Sequence, residues 1–167
     1  MGTLPDRDER RVTVKLLDRV SRTAVHAAWL SHATDTLNRL LALEQAWDGQ
    51  RARPVTPAAV TGMIAILAVV MDDDLASPQI FPLPDGGLQA EWHAGGHDVE
   101  IEIEGDGAVY VIATTPDRHQ LAHEPVSVLR INTSTPAVDP SSEPTVTALK
   151  KALHQLTQAI VDAQFAR

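Results

Sequence analysis

The chain of 167 residues is 44% apolar and 22% charged, which is the composition of an ordinary soluble globular protein and predicts a single domain over residues 1–167. Its formal net charge is -8 and it contains no cysteine, which excludes a disulfide framework, a thiol nucleophile and a cysteine zinc site. The N-terminus lacks the apolar stretch of a signal peptide and the most apolar run, Met63 to Met71, is too short to span a bilayer, so we predict a cytoplasmic protein without a membrane partner.

The charge is unevenly distributed along the chain. No Lys or Arg occurs between Arg53 and Arg118, although this interval holds half of the 22 acidic residues. The N-terminal segment is basic by comparison and carries Arg7, Arg10, Arg11, Lys15, Arg19 and Arg22. Such a distribution repels nucleic acid from the acidic interval and favours a basic protein partner there.

The N-terminal third predicts helices after a short flexible segment. Residues 1–10 are polar and are expected to be flexible. Residues 11–20 place apolar side chains both in alternation and at helical spacing, so we favour a helix and keep a strand as the alternative. Residues 23–47 follow the period of an amphipathic helix, which is expected to end at Gly49.

A further helix is predicted from Pro57 to Met71. Thr56 is a suitable N-cap, and Pro57 occupies the first helical position, where its missing N–H costs nothing. Apolar residues cover most of this helix, so we expect it to be buried against a sheet. The prolines that follow leave at most a short edge strand over residues 79–83.

Residues 84–114 are the part of the chain around which the rest is organised. Three runs of alternating apolar and polar residues are separated by glycine-rich breaks, which indicates an antiparallel β-meander. A slip of one residue would turn every side chain to the opposite face, so the pattern constrains the register. With a four-residue loop from Ala94 to His97, the apolar pairs are Trp92 with Val99, Ala90 with Ile101, and Leu88 with Ile103. The pairs on the opposite face are His93 with Asp98, Glu91 with Glu100, and Gln89 with Glu102. This register predicts that Trp92 is buried.

The third strand of the meander follows Gly105-Asp106-Gly107, and two registers are open. A two-residue turn would place Tyr110 and Ile112 beside the apolar face, whereas a three-residue turn would place Val109 and Val111 there. The sequence does not choose between them.

The C-terminal third predicts a strand, a linker and a helix. Residues 125–133 alternate like a fourth strand, residues 132–144 are rich in Ser, Thr and Pro and are expected to form an exposed linker, and residues 145–165 form an amphipathic helix. We expect this helix to pack on the sheet, with a partner-binding arm as the alternative. His119 and His123 are expected to lie in a loop. The fold class is therefore α+β, with N-terminal helices, an antiparallel β-meander of three to five strands and a C-terminal amphipathic helix.

Two short motifs carry a resemblance, WDG at 47–49 and PDGGLQAEWH at 84–93. The sequence resembles a family of small uncharacterised bacterial proteins that share a leucine-rich helix ending in WDG, a proline-led second helix and a PDGG-x-Q-x-E-W-H hairpin. The matching residues are Trp47, Asp48, Gly49, Pro54, Pro57, Pro84, Asp85, Gly86, Gly87, Gln89, Glu91, Trp92 and His93. The resemblance covers roughly residues 35–115 and implies this division of the fold, but no activity.

The WDG motif is interpreted as structural. Trp47 is expected to anchor the end of the helix in the core, Asp48 to accept backbone N–H groups in the following loop, and Gly49 to supply a positive φ.

The hairpin carries the candidate binding residues. Glu91, His93, Asp98 and Glu100 are expected to project from one face, with Glu102 beside them, and we assign these five residues to partner binding. The like-charge pair of Glu91 and Glu100 costs stability unless it is relieved, and we expect solvent to relieve it. The alternative is a metal-dependent enzyme with a Glu/His/Asp site on the 88–104 hairpin.

The function predicted from these patterns is non-catalytic. We expect a small intracellular protein-binding module, either antitoxin- or immunity-like or a subunit of a larger assembly, whose acidic sheet face or edge meets a basic protein. No cofactor is expected. The unpaired edges of a small sheet and the basic N-terminal segment make a homodimer possible.

Overall fold

The computed structural model of the chain describes residues 8–15, 27–117, 119–129 and 137–166. Within these residues the helices are α1 (8–15), α2 (Ala28–Leu41), α3 (Pro57–Val70) and α4 (Glu143–Phe165). The strands are β1 (Gln79–Pro82), β2 (Leu88–Ala94), β3 (His97–Ile103), β4 (Val109–Thr114), β5 (His119–Val126), β6 (Val128–Leu129) and β7 (Ala137–Val138).

Strands β1 to β5 form one antiparallel sheet in which each strand pairs with its neighbours in sequence, in the order β1-β2-β3-β4-β5. Strands β6 and β7 form a separate antiparallel pair. The fold is α+β with a five-stranded meander and a C-terminal helix, as the sequence pattern predicts.

The predicted register of the β2–β3 hairpin is confirmed at every pair from Leu88 with Ile103 to His93 with Asp98. The turn is shorter than predicted because Ala94 also pairs with His97. Gly95 and Gly96 then form a two-residue turn with φ values of 58° and 80°. A hairpin turn of type I′ requires a positive φ at both of its central residues, which glycine adopts without strain.

The structure also decides between the two registers of the third strand. Val109 pairs with Ile103 and Val111 pairs with Ile101, and both valines are buried. The intervening turn is the three-residue alternative, closed by a hydrogen bond from Glu104 N to Ala108 O at 2.9 Å.

The hydrophobic core lies between the sheet and helices α2, α3 and α4. Helix α4 crosses strands β2 to β5, and α3 contacts β2, β3 and β6. Thr56 caps α3 by accepting a hydrogen bond from Ala59 N at 3.0 Å, as predicted. Trp92 is only 4% exposed, which confirms its predicted burial, and its indole Nε1 donates to Ala76 O at 2.7 Å.

The N-terminal helices differ from their predicted bounds. Residues 8–10 belong to α1, and the helix favoured for 11–20 is confirmed for 11–15, while 1–7 and 16–20 lie outside the described residues. The flexibility of residues 1–10 stays a prediction. Helix α2 ends at Leu41, well before the predicted end at Trp47. The reason is a loop contact: Ala46 has a left-handed φ of 61° and its N–H donates to Ala52 O at 2.8 Å.

The strands of the C-terminal third also differ from their predicted positions. Strand β5 includes His119 and His123, which were predicted to lie in a loop, because this segment pairs with β4 through a β-bulge. Strand β5 ends at Val126, so only its last two residues match the strand predicted over 125–133, and Val128–Leu129 belongs to the second sheet.

The predicted linker is shorter than 132–144. Residues 130–136 lie outside the described part of the chain, whereas Ala137–Val138 is a strand and Pro140–Ser142 is a 3-10 turn. Helix α4 packs on the sheet as predicted, but its buried stripe ends at Leu156 and Phe165 is 86% exposed.

Candidate functional site

The surface of interest is the face of the five-stranded sheet that points away from the buried side chains, which we call the outer face. The strand pairing assigns to it Phe81, Gln89, Glu91, His93, Asp98, Glu100, Glu102, Tyr110, Ile112 and His123. Each of these residues is half-buried or exposed, in contrast with their buried neighbours along the strands. The alternation in the sequence therefore places all five predicted binding residues on one surface.

His93 lies between two carboxylates of the outer face. Its Nδ1 is 2.6 Å from Asp98 Oδ1 across the hairpin, and its Nε2 is 3.3 Å from Glu91 Oε2 on the same strand. The contact with Asp98 raises the pKa of His93 above its ordinary value; burial opposes this shift, and Glu91 adds to it. Both ring nitrogens face acceptors, so the site favours the imidazolium form.

Gln89 relieves the like-charge pair that the register places across the hairpin. Its Nε2 donates to Glu91 Oε2 at 3.3 Å and to Glu100 Oε2 at 3.2 Å. The prediction that solvent alone relieves this pair was therefore incomplete. The sequence places Gln89 on this face but gives no sign that its amide bridges two carboxylates on different strands.

A second histidine, missed in the sequence analysis, joins the outer face from β5. His123 Nε2 is 3.3 Å from Glu102 Oε2, and its ring stacks on Tyr110 with centroids 4.5 Å apart and an angle of 2° between the planes. His123 has a left-handed φ of 59° at the point where two residues of β5 oppose Ile112. This bulge aims the imidazole at Glu102, and a simple alternation pattern cannot reveal a bulge.

The five strands of the sheet contain no Lys or Arg. The outer face carries four carboxylates, on Glu91, Asp98, Glu100 and Glu102, and within the described part of the chain the imidazoles of His93 and His123 contact three of them. Carboxylate oxygens on an exposed face are acceptors for Lys and Arg side chains of another protein.

A metal site on the same hairpin is the alternative that the sequence predicts. Among the residues that the structure describes, no group of three or more His, Asp or Glu side chains is placed so that it could hold a metal ion. His93 directs its two nitrogens toward different carboxylates, and Glu102 faces His123 instead.

The WDG motif lies in a loop rather than at a helix end. Asp48 Oδ1 accepts hydrogen bonds from Gln50 N at 2.8 Å and Ala52 N at 3.1 Å, and Gly49 has a φ of 77°, so both predicted roles are confirmed. The hydrogen bond from Gln50 lowers the pKa of Asp48. Trp47 is half-buried and lies outside the core, where its Nε1 donates to Arg53 O at 3.0 Å. Its predicted role as a core anchor is therefore wrong.

The loop that follows WDG is joined to the PDGG turn. Arg53 N donates to Pro84 O at 2.9 Å and Thr56 N donates to Gly86 O at 3.0 Å. Thr56 Oγ1 also donates to Gly105 O at 2.7 Å, in the turn after β3. We call these three segments, residues 47–56, 84–87 and 105, the loop cluster.

Asp85 is the central side chain of the loop cluster. Its Oδ1 accepts a hydrogen bond from Gly87 N at 2.9 Å and its Oδ2 accepts one from Gly105 N at 3.2 Å. The two motifs that are separate in the sequence thus form one structural unit at one end of the sheet, and their residues bond mainly to backbone groups.

No described helix has both the length and the apolarity needed to cross a membrane. Comparisons of the chain with family models, with curated proteins and with solved structures find no match.

Proposed function

We propose that this chain is a non-catalytic protein-binding module of the bacterial cytoplasm, and that its outer face engages a basic surface of another protein. The partner is either a protein that the module neutralises, in the manner of an antitoxin or immunity protein, or a neighbouring subunit of a larger assembly. The observation that carries this proposal is an open sheet face with four carboxylates on strands that contain no Lys or Arg.

The carboxylates support binding because their present partners can be exchanged. The contacts of His93 with Asp98 and of Gln89 with Glu100 join two side chains, and a side chain can change its rotamer without moving the backbone. The side chains of His93 and Asp98 are about half exposed, at 49% and 51%. A guanidinium or ammonium group can therefore replace the imidazole or amide without disturbing the sheet.

The outer face also offers apolar surface, which charge alone does not supply. Phe81 is 42% exposed on the edge strand β1, and Tyr110 and Ile112 are half-buried on β4. Aromatic side chains surrounded by polar groups are common at the centres of protein interfaces. These residues would contribute affinity, whereas the carboxylates would contribute rate of association and orientation.

The proposal is tested by capture from a bacterial lysate followed by association kinetics with the captured protein. The variant E100K/E102K reverses two charges of the outer face. The matched control D73K/D74K makes the same change of net charge at two exposed residues that follow α3 and lie outside the strands. We expect the first variant to lose the partner and the control to retain it.

With the captured partner in hand, the rate of association should fall as salt is raised, because a charged face steers the encounter over a distance that ions screen. Equal binding by the wild type and E100K/E102K, or an association rate independent of salt, would contradict the proposed role of the outer face. The metal-dependent enzyme stays a separate prediction, and metal analysis of the purified protein tests it.

A further inference from the structure

We propose that the outer face of one copy of this chain binds helix α1 of a second copy. This inference rests on the proposed function, since it uses the same face, and it names one partner by the chemistry of the chain itself. Two surfaces of opposite charge are exposed on the same molecule, and each combines charge with apolar area.

One side of helix α1 packs against its own chain. Arg10 Nη1 donates to Leu41 O at 2.9 Å, at the end of α2, and Thr13 is 5% exposed. The other side presents Asp8, Arg11, Val12 and Lys15, which fall within about 100° of one another on a helix of 3.6 residues per turn. Val12 is 66% exposed, and both basic residues are exposed. This side of α1 therefore carries two cations against one carboxylate, with an apolar residue at its edge.

The spacing of these groups matches that of the outer face. Arg11 and Lys15 are separated by about 6 Å along the helix axis, from a rise of 1.5 Å per residue. Glu100 and Glu102 are two residues apart on β3, which corresponds to about 7 Å along the strand. A helix laid along β3 can thus place one cation at each carboxylate. Ile112, which pairs with Glu100 from the neighbouring strand, then offers an apolar contact for Val12.

The interaction can form twice between two copies. Each copy carries both surfaces, so a two-fold symmetric pair makes the contact between helix and sheet in both directions. Exposed ion pairs are individually weak, so the repetition and the apolar contacts provide the stability of the dimer. Helix α1 of the second copy would also compete with any other basic partner for the outer face.

A charge-swap experiment tests this arrangement. The variant R11E/K15E gives an acidic helix on an acidic face, and E100K/E102K gives a basic helix on a basic face. Mass measured by light scattering or sedimentation over a dilution series should show a wild-type dimer that weakens as salt is raised. Each variant alone should dimerise at least about tenfold more weakly, and an equal mixture of the two should restore a heterodimer.

The control variant R51E/K151E makes the same charge change as R11E/K15E at exposed residues outside α1, and it should dimerise like the wild type. Circular dichroism checks that each variant is folded. A monomeric wild type at tens of micromolar would overturn the proposal, as would dimers that persist in both charge-reversed variants.

The outcome is separable from the test of the proposed function. The wild type could be monomeric while the E100K/E102K variant loses a captured partner. The outer face then binds a different protein, so the dimer proposal fails and the proposed function stands. If the charge swap restores the heterodimer but no lysate protein depends on the outer face, self-association stands and the heterologous partner does not.

Discussion

The loop cluster and the outer face are both polar regions of the same meander, but their polar groups are satisfied in different ways. In the loop cluster, Asp85 accepts from the backbone N–H groups of Gly87 and Gly105, and Thr56 bonds the backbone of the two turns. On the outer face, His93 and Gln89 bond to other side chains.

This difference separates a structural role from a binding role. Backbone groups cannot leave their partners without a change of the chain path, so hydrogen bonds to them fix the loops relative to the sheet. Side chains on an open strand surface can rotate and take a new partner at a small cost in free energy. The loop cluster is therefore expected to control stability and the outer face to control association.

Trp92 lies on the buried face of the meander, which we call the inner face, and its removal should have the largest effect. Trp92→Ala is expected to lower the free energy of unfolding by about 3 to 5 kcal/mol, because a large core side chain is lost and leaves a cavity. Trp92→Phe keeps most of the ring but leaves Ala76 O without its indole donor, for a smaller loss of about 1 to 3 kcal/mol. Denaturant unfolding measures both. A loss below about 1 kcal/mol for the alanine variant would contradict the burial that defines the inner face.

The loop cluster can be broken at a single glycine. A Cβ added at Gly87 would lie 2.2 Å from Ile103 O, so the turn and the end of β3 would have to separate. We expect Gly87→Ala to cost about 3 kcal/mol, at the upper end of ordinary substitutions. Gly49→Ala is the matched control, since its φ of 77° is strained for alanine but nothing lies within 4 Å of the added atom.

For that control we expect a loss of about 1 kcal/mol, the cost of a left-handed backbone for a residue with a Cβ. Equal losses for the two variants would show that backbone conformation, rather than the close approach of the two turns, makes glycine necessary in the loop cluster.

The inner face could be predicted from sequence because its signal is local and periodic. The alternation of apolar residues fixed the β2–β3 register, and with it the burial of Trp92 and the common face of Glu91 and Asp98. The length of the next turn could not be predicted, because two- and three-residue turns both offered an apolar pair, and only packing against Ile103 selects Val109.

The parts that could not be predicted depend on contacts between distant segments. Helix α2 stops at Leu41 because the loop that follows is closed by the Ala46 N–H on Ala52 O and is tied further on to the PDGG turn. No residue in the predicted helix signals these contacts. His123 reaches Glu102 only because a bulge in β5 shifts the alternation. The bridging role of Gln89 depends on rotamers, which a register does not specify.

A change of charge on the outer face should lower the free energy of unfolding less than an added side-chain atom does in the loop cluster. Gln89→Glu replaces the donor to Glu91 and Glu100 with a third carboxylate, so we expect a loss of up to about 1 kcal/mol at low salt. Gln89→Leu removes the donor without adding charge and should cost less. Unfolding at low and high salt separates the two, because only the Gln89→Glu loss should shrink with screening. A salt-independent loss would mean that packing of the amide, rather than repulsion, is what matters at this position.

The smallest effect expected is the pH dependence that His93 contributes. Its pKa is raised in the folded protein above the ordinary value of 6.5, chiefly by Asp98. The stabilisation from the imidazolium is therefore fully present below the unfolded pKa and is lost as pH rises through the folded pKa.

His93→Gln should remove this part of the slope of stability against pH above the ordinary value of 6.5, by less than about 1 kcal/mol, because the side chain is 49% exposed and solvent screens the pair. NMR titration of the imidazole gives a sharper measurement, and His93→Gln identifies its resonance among the seven histidines. We expect Asp98→Asn to lower the pKa of His93 more than Glu91→Gln does, since the contact with Asp98 is the shorter one at 2.6 Å against 3.3 Å. If Asp98→Asn leaves that pKa unchanged, the imidazole of His93 is not hydrogen-bonded to Asp98 in solution. Both groups would then be free for a partner without any contact to exchange, and the outer face would bind through carboxylates that are already unpaired.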